Sequence, residues 1–252
     1  ATGEGKTSWV NPRHFSDLRW RSSSRVNAFN GCIYSYYPAP MALIQESEMR
    51  LITKKLVKAD PAFASVVKRS DLCIIGRKRP ARSHFETLIE SIISQMISTK
   101  AADTISQRVK DLAGGRLEAE SLHKLKAEKF NGTGLTRAKT QAIKELAEAA
   151  VIGELNLKTL GRKSSADIEK ELIQYRGIGR WTVEMFLMFH LGRLDVWPVG
   201  DLGVRRGWER MHKMKKEITP KELDSFSELF DGYQSVAAWY CWKEMDGPAD
   251  FK

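Results

Sequence analysis

The chain has few cysteines and no long apolar run, and both shortages narrow what it can be. Its 252 residues include three cysteines, Cys32, Cys73 and Cys241, an odd number spread widely along the sequence. This pattern argues against a disulfide framework and favours a reducing compartment. The sequence contains no Cys-x-x-Cys pair, which argues against a zinc or iron–sulfur centre built within the chain. No segment approaches the ~18 apolar residues of a membrane span.

Strand patterns are also scarce, and only Leu72–Ile75 is a short strand candidate. Helical patterns dominate instead. The clearest begins at Ser83, which forms with Glu86 the Ser-x-x-Glu pattern of a capping box. Behind it, apolar residues recur three and four positions apart through residue 97. This spacing predicts one amphipathic helix whose apolar stripe includes Met96.

Other helices are predicted over residues 137–151, 167–176 and 180–191. A further helix follows Thr219, where a second capping box coincides with a proline at the first helical position. Taken together, these patterns predict an all-α fold of roughly ten helices.

Residues 1–40 differ from the rest of the chain because they show no sustained periodicity. We interpret them as a non-native or disordered extension, and we take Met41 as the start of the folded domain, 41–252. The alternative is a genuine basic tail that adds non-specific affinity for DNA.

The formal net charge of +10 favours a polyanionic partner, because each phosphate contact releases counterions. The most informative segment is Gly177-Ile178-Gly179, which separates two apolar helices. Two glycines around one aliphatic residue make a tight hairpin, and its exposed amides at a helix start form an anion site suited to phosphate. Asp201 follows Trp181 by twenty residues. A phosphate clamp followed by an acid indicates chemistry on nucleic acid.

These residues resemble the helix-hairpin-helix (HhH-GPD) DNA glycosylase superfamily, and within it the 3-methyladenine DNA glycosylase II branch. The resemblance covers about residues 60–247 and is strongest from Tyr175 to Arg206, with supporting matches at 91–98 and 233–240. It implies a two-lobed helical fold with the active site between the lobes. A central lobe would span about residues 83–190, and helices from both ends of the domain would form the second.

The resemblance implies that Asp201 is catalytic. Cleavage of a glycosidic bond builds positive charge on the sugar, which a fixed carboxylate stabilises while it orients the attacking water. Asp201 also precedes a predicted helix and suits an N-cap position, where the helix dipole favours its ionised form. The alternative is that Asp201 is a cap and nothing more.

Trp181 occupies the position at which bifunctional members of the superfamily carry a nucleophilic lysine. Its presence therefore predicts a monofunctional enzyme without lyase activity. An electron-rich indole also suits a pocket wall that stacks on a cationic alkylated purine, and Trp242 matches a second such position. For both tryptophans the alternative is an ordinary place in the core.

The resemblance places Met96 as the wedge that fills the DNA stack after base flipping, and apolar wedges suit that task. Its place in the apolar stripe leaves a core role as the alternative. Gln95 is a candidate to hydrogen-bond the orphaned base, although a solvated glutamine at a helix end is equally consistent with the pattern.

The hairpin residues Gly177, Ile178 and Gly179 are expected to bind a backbone phosphate, with help from the Thr182 hydroxyl and from Arg180. Further phosphate contacts are open to Arg205 and Arg206. In relatives the hairpin carbonyls also hold a monovalent cation, which implies Na⁺ or K⁺ on the carbonyls of Arg176 and Ile178. No other cofactor is implied.

The sequence thus predicts a monomeric, monofunctional glycosylase that removes alkylated purines of the 3-methyladenine and 7-methylguanine type from double-stranded DNA. We expect no membrane partner and a cytoplasmic, nucleoid-associated location. Three alternatives stay open: a non-catalytic helix-hairpin-helix DNA-binding protein, a glycosylase for another damaged base, and a bifunctional glycosylase/lyase. The lesion spectrum is not fixed by the sequence.

Overall fold

The structure is a computed structural model that describes residues 43–246. Over this range it contains twelve α-helices and no strand, which confirms the all-α prediction. The strand predicted at Leu72–Ile75 is wrong, because this segment runs without a pairing partner. The interpretation of residues 1–40 lies outside the described range. The helices are α1 Glu46–Ala59, α2 Ala64–Arg69, α3 His84–Ser94, α4 Thr99–Leu112, α5 Ala119–Lys124, α6 Arg137–Ile152, α7 Leu157–Leu160, α8 Ser165–Leu172, α9 Arg180–Met185, α10 Leu202–Met211, α11 Pro220–Asp224 and α12 Gln234–Met245.

Three 3₁₀ turns and one π-helical turn complete the described secondary structure. The 3₁₀ turns are Pro61–Phe63, Ala127–Phe130 and Ser227–Phe230. The π-helical turn, Phe186–His190, continues α9 directly. No helix within residues 43–246 combines the length and the apolar character needed to cross a membrane.

Side-chain caps start several helices, as local sequence predicts. The Thr219 hydroxyl accepts from the Glu222 amide, and the Glu222 carboxylate accepts from the Thr219 amide, which completes that capping box. The box predicted at Ser83 forms only in part. The Ser83 hydroxyl accepts from the Glu86 amide at 3.1 Å, but the Glu86 carboxylate pairs with Lys110 of α4 at 3.1 Å. A tertiary ion pair therefore replaces the local contact.

Helix α3 is shorter than its apolar period predicts. It ends at Ser94, Gln95 leaves the helical conformation, and Met96 adopts a left-handed backbone with φ of 61°. Met96 is consequently 69% exposed, so its predicted place in a buried stripe is wrong. At this point the side-chain amide of Gln95 donates to the Gly177 carbonyl of the glycine hairpin, and the chain does not continue as a helix.

Helices α10 and α12 pack together at very close range. An added Cβ on Gly207 of α10 would lie 2.0 Å from the carbonyl oxygen of Cys241 in α12. Helix α12 also contacts α1 and α2, while α3 contacts α4 and α6, and α5 contacts α6. One continuous apolar core joins these groups. The lobe boundaries predicted from the sequence remain predictions.

We predict that Gly207→Ala lowers the free energy of unfolding by about 3 kcal/mol, because overpacking against a backbone carbonyl forces the two helices apart. Urea denaturation followed by circular dichroism measures the change. Gly200→Ala is the control, since an added Cβ there meets nothing within 4 Å. Equal stability of the two variants would contradict the close approach.

Candidate active site

The glycine hairpin joins α8 to α9 through a turn that only glycine accommodates at its first position. Gly177 has φ of 79°, and a Cβ there would lie 3.1 Å from Cβ of Ala142 in α6. The Ile178 amide donates to the Tyr175 carbonyl at 3.1 Å. Ile178 is buried, whereas Gly177 and Gly179 are exposed. The side chain thus anchors the turn while both glycines face outward, as expected of a phosphate site.

Asp201 caps α10 and is almost fully buried, with 5% of its surface exposed. Its Oδ1 accepts from the Val204 amide at 2.9 Å, which confirms the predicted N-cap. Two indole N–H groups complete its environment. Trp181 donates to Oδ2 at 2.7 Å and Trp242 donates to Oδ1 at 2.8 Å. Both predicted pocket tryptophans therefore meet the predicted catalytic carboxylate, a relation that the sequence does not reveal.

A cleft of about 1360 Å³ opens beside this carboxylate. It is lined by the C-terminus of α3, the hairpin, α9, the start of α10 and the end of α12. Aromatic rings form much of its wall. The Phe189 ring centroid lies 5.7 Å from that of Trp242 and 6.4 Å from that of Trp239. A flat, electron-poor base could stack here within reach of Asp201.

Gln95 and Thr182 contact each other in the wall of the cleft. The Gln95 amide donates to the Gly177 carbonyl at 2.7 Å and to the Thr182 hydroxyl at 3.2 Å. Thr182 is 4% exposed, so its hydroxyl faces α3. The roles predicted for these two side chains on DNA remain predictions, and the structure shows instead that they tie the end of α3 to the hairpin.

Two of the arginines predicted to contact phosphate, Arg180 and Arg206, have carboxylate partners within the protein, while Arg205 donates to the Ile218 carbonyl at 3.3 Å. Arg180 lies 3.2 Å from Glu184 and 3.5 Å from Glu169, yet its side chain is 67% exposed. Arg206 pairs with Glu209 at 2.8 Å and also with Glu217. These ion pairs hold the two guanidinium groups near the cleft, where a DNA phosphate could compete with the carboxylates for them.

Several buried polar groups around the cleft escaped sequence reasoning. His84 Nδ1 lies 2.6 Å from His190 Nε2, and the Thr87 hydroxyl lies 2.9 Å from His190 Nδ1. Burial lowers the pKa of His190 to about 3 and also lowers the pKa of His84, so the pair is neutral. No cluster of three or more potential metal ligands occurs within residues 43–246.

Glu184 is a second buried carboxylate, 5% exposed and close to the site. Burial raises its pKa to about 7, and the Arg180 guanidinium opposes that rise, while the charges of Glu169 and Asp201 add to it. Nothing in the local sequence distinguishes Glu184 from a solvated helix residue. Glu184 is buried because of the way α9 packs in the fold, which the local sequence does not reveal.

Comparison with known proteins agrees with this geometry. Residues 89–231, more than half of the chain, match the HhH-GPD superfamily of base excision DNA repair proteins. The chain belongs to the HhH-GPD superfamily. A curated HhH-GPD relative, DNA-3-methyladenine glycosylase 1 of Schizosaccharomyces pombe, is 35% identical over 178 residues, which is 68% of this chain and 78% of the relative.

Solved structures show the same HhH-GPD fold. A DNA-3-methyladenine glycosidase from Bacillus halodurans has a TM-score of 0.68 and 31% identity, covering 76% of this chain and 88% of that chain. The 3-methyladenine DNA glycosylase of S. pombe, in complex with abasic DNA, has a TM-score of 0.67 and 30% identity. That comparison covers 80% of this chain and 99% of the other.

We predict that Trp242→Phe slows base release by roughly 10- to 100-fold, the range for a lost hydrogen bond to a charged group. Phenylalanine keeps an aromatic wall but removes the donor that orients Oδ1 of Asp201. Single-turnover kinetics on methylated duplex DNA measure the effect. Trp197→Phe is the control, because that indole donates to the Leu223 carbonyl instead. Equal rates for both variants would contradict an orienting role.

We predict that Glu184→Gln stabilises the protein at pH 8 but much less at pH 5. The raised pKa means that the folded state holds a proton which the unfolded state releases above its ordinary value of 4.5. Stability therefore falls as pH rises from about 4.5 to 7, by roughly 3 kcal/mol in total. Urea denaturation at both pH values tests this, and a gain independent of pH would contradict it.

Proposed function

We propose that this chain is a monofunctional DNA glycosylase that flips an alkylated purine out of duplex DNA and hydrolyses its N-glycosidic bond. The observation that carries the proposal is the Asp201 carboxylate, held by three N–H donors at the edge of an aromatic cleft. The relatives named as 3-methyladenine glycosylases support the choice of substrate.

The hydrogen bonds of Asp201 indicate which oxygen acts. A carboxylate offers about four acceptor sites, two on each oxygen. Oδ1 uses both of its sites on Val204 and Trp242, while Oδ2 receives Trp181. Within the described residues, one acceptor site on Oδ2 is left for the attacking water or the sugar. Held in this way, the carboxylate needs no reorganisation as positive charge develops on the sugar.

The base chemistry requires little more from the protein. A purine alkylated at N3 or N7 is cationic and is already a good leaving group, so no general acid is needed. The rings of Trp242, Phe189 and Trp239 line the cleft, and an aromatic wall of this kind suits a cationic base. Trp181 stands where a lyase would carry a lysine, and its N–H is committed to Asp201. Strand cleavage by an amine at this position is therefore not expected.

The hairpin and the wedge would hold the DNA around this site. The exposed backbone of Gly177 and Gly179 suits a phosphate, and exposed Met96 suits insertion into the stack. The carbonyls of Arg176 and Ile178, which the family resemblance implies as ligands of Na⁺ or K⁺, flank the Gly177 carbonyl that accepts from Gln95. The cation would neutralise part of the phosphate charge. A monomeric state and nucleoid association remain predictions.

We predict that Asp201→Asn lowers methylpurine release from methylated duplex DNA by at least about 100-fold. Asparagine loses the negative charge and turns an N–H group toward one of the indole donors. Released bases are measured by chromatography, and strand cleavage is measured with and without alkali. Strands should break only after alkali.

The control is Asp195→Asn, which changes an exposed aspartate that accepts from the Ser165 hydroxyl at 3.0 Å. It should act as the wild type does. A wild type that binds duplex DNA but releases no methylpurine would overturn the proposal in favour of another lesion or a binding module. Borohydride trapping of an enzyme–DNA adduct would indicate a lyase.

A further inference from the structure

The backbone of Met96 is in a conformation that its own sequence does not favour. Its φ of 61° is left-handed, a region that residues with a side chain seldom occupy. Such a conformation persists only where surrounding contacts impose it. The Met96 side chain is 69% exposed and cannot supply those contacts itself. Residues around it must therefore hold this turn in place.

Two side chains supply that support. Gln95 reaches the hairpin through the Gly177 carbonyl and the Thr182 hydroxyl. From the other direction, Lys139 of α6 donates to the Ile93 carbonyl at 2.7 Å and to the Gln95 carbonyl at 2.6 Å. These carbonyls lie at the end of α3, where helix geometry leaves them without internal partners. An ammonium group also complements the negative end of the helix.

Helix α6 supports the hairpin with the same face. Lys139 and Ala142 are three residues apart, so their side chains point in similar directions. Ala142 lies directly beneath Gly177, where a Cβ would approach it to 3.1 Å. One rigid helix thus contacts both the turn that carries Met96 and the turn that carries the phosphate site.

We propose that Lys139 is a positioning residue for the Met96 wedge, fixing its height relative to the hairpin that grips the DNA backbone. This inference rests on the proposed function, because it gives Met96 the task of filling the stack. Lys139 itself is not a catalytic residue, since its amine is engaged by two carbonyls of the protein. Burial lowers the pKa of Lys139, which agrees with an amine held inside the structure.

The chain offers a matched control on the same helix. Lys144 of α6 is also partly buried and donates to the carbonyls of Leu122, His123 and Leu125 at the end of α5. It performs the same kind of capping for a helix that does not lead to the wedge. Loss of either lysine therefore has a similar structural cost, but only Lys139 contacts the turn before Met96.

The test compares Lys139→Met, Met96→Ala, their double variant and Lys144→Met in the full chain. Single-turnover release from methylated duplex DNA is measured per folded molecule. Fluorescence of 2-aminopurine opposite a stable abasic analogue reports stack insertion without chemistry. We expect Lys139→Met and Met96→Ala each to slow release by about tenfold. The double variant should be no slower than Met96→Ala, because a lost wedge no longer needs positioning.

The inference would be overturned by rates of Lys139→Met that match those of Lys144→Met, or by losses that multiply in the double variant. An unchanged rate for Met96→Ala would do the same. If the wild type releases no base, the proposed function fails, while the 2-aminopurine signal of the same variants still tests the positioning of the wedge.

Discussion

The structure depends on one buried negative charge. A carboxylate that is 5% exposed is stable only if hydrogen bonds replace the water it has lost. Asp201 obtains them from its own helix and from two indoles on separate helices, Trp181 of α9 and Trp242 of α12. This requirement brings three helices together at one point. The close approach of α10 and α12 at Gly207, where a Cβ would clash with the Cys241 backbone, places Trp242 of α12 next to that contact in sequence.

The glycine hairpin and the turn at Met96 also share one support, which is helix α6. The hairpin and the wedge turn are separated by about eighty residues in sequence, yet both contact α6 and each other through Gln95. Of the two turns, only the one at Met96 places a residue with a side chain in the left-handed region. The contacts around Asp201 and the contacts around the two turns thus meet on α9, where Trp181 and Thr182 are adjacent in sequence.

Local sequence predicts the parts of this arrangement that are local. The Thr219 capping box, the N-cap role of Asp201 and the glycine turn are encoded within a few residues, and the structure shows all three. The apolar period of α3 predicts a helix that continues past its observed end at Ser94. Gln95 contacts the Gly177 carbonyl instead, and this partner is too distant in sequence for a periodic pattern to predict. For the same reason the sequence does not predict the indole donors to Asp201, the His84–His190 pair or the contact of Lys139 with the end of α3. Each of these contacts joins residues from different elements of the fold, and burial shifts the pKa of His190 and of Lys139.

Trp242 lies outside the part of the chain that matches the superfamily. The superfamily signature spans residues 89–231, which includes the hairpin and Asp201 but neither α12 nor α1. A fragment cut to that signature would keep the recognisable motif and lose one donor to the carboxylate, along with a wall of the cleft. Helix α12 in turn rests on α1 and α2. The helices that surround and support this buried carboxylate therefore extend beyond the signature at both ends.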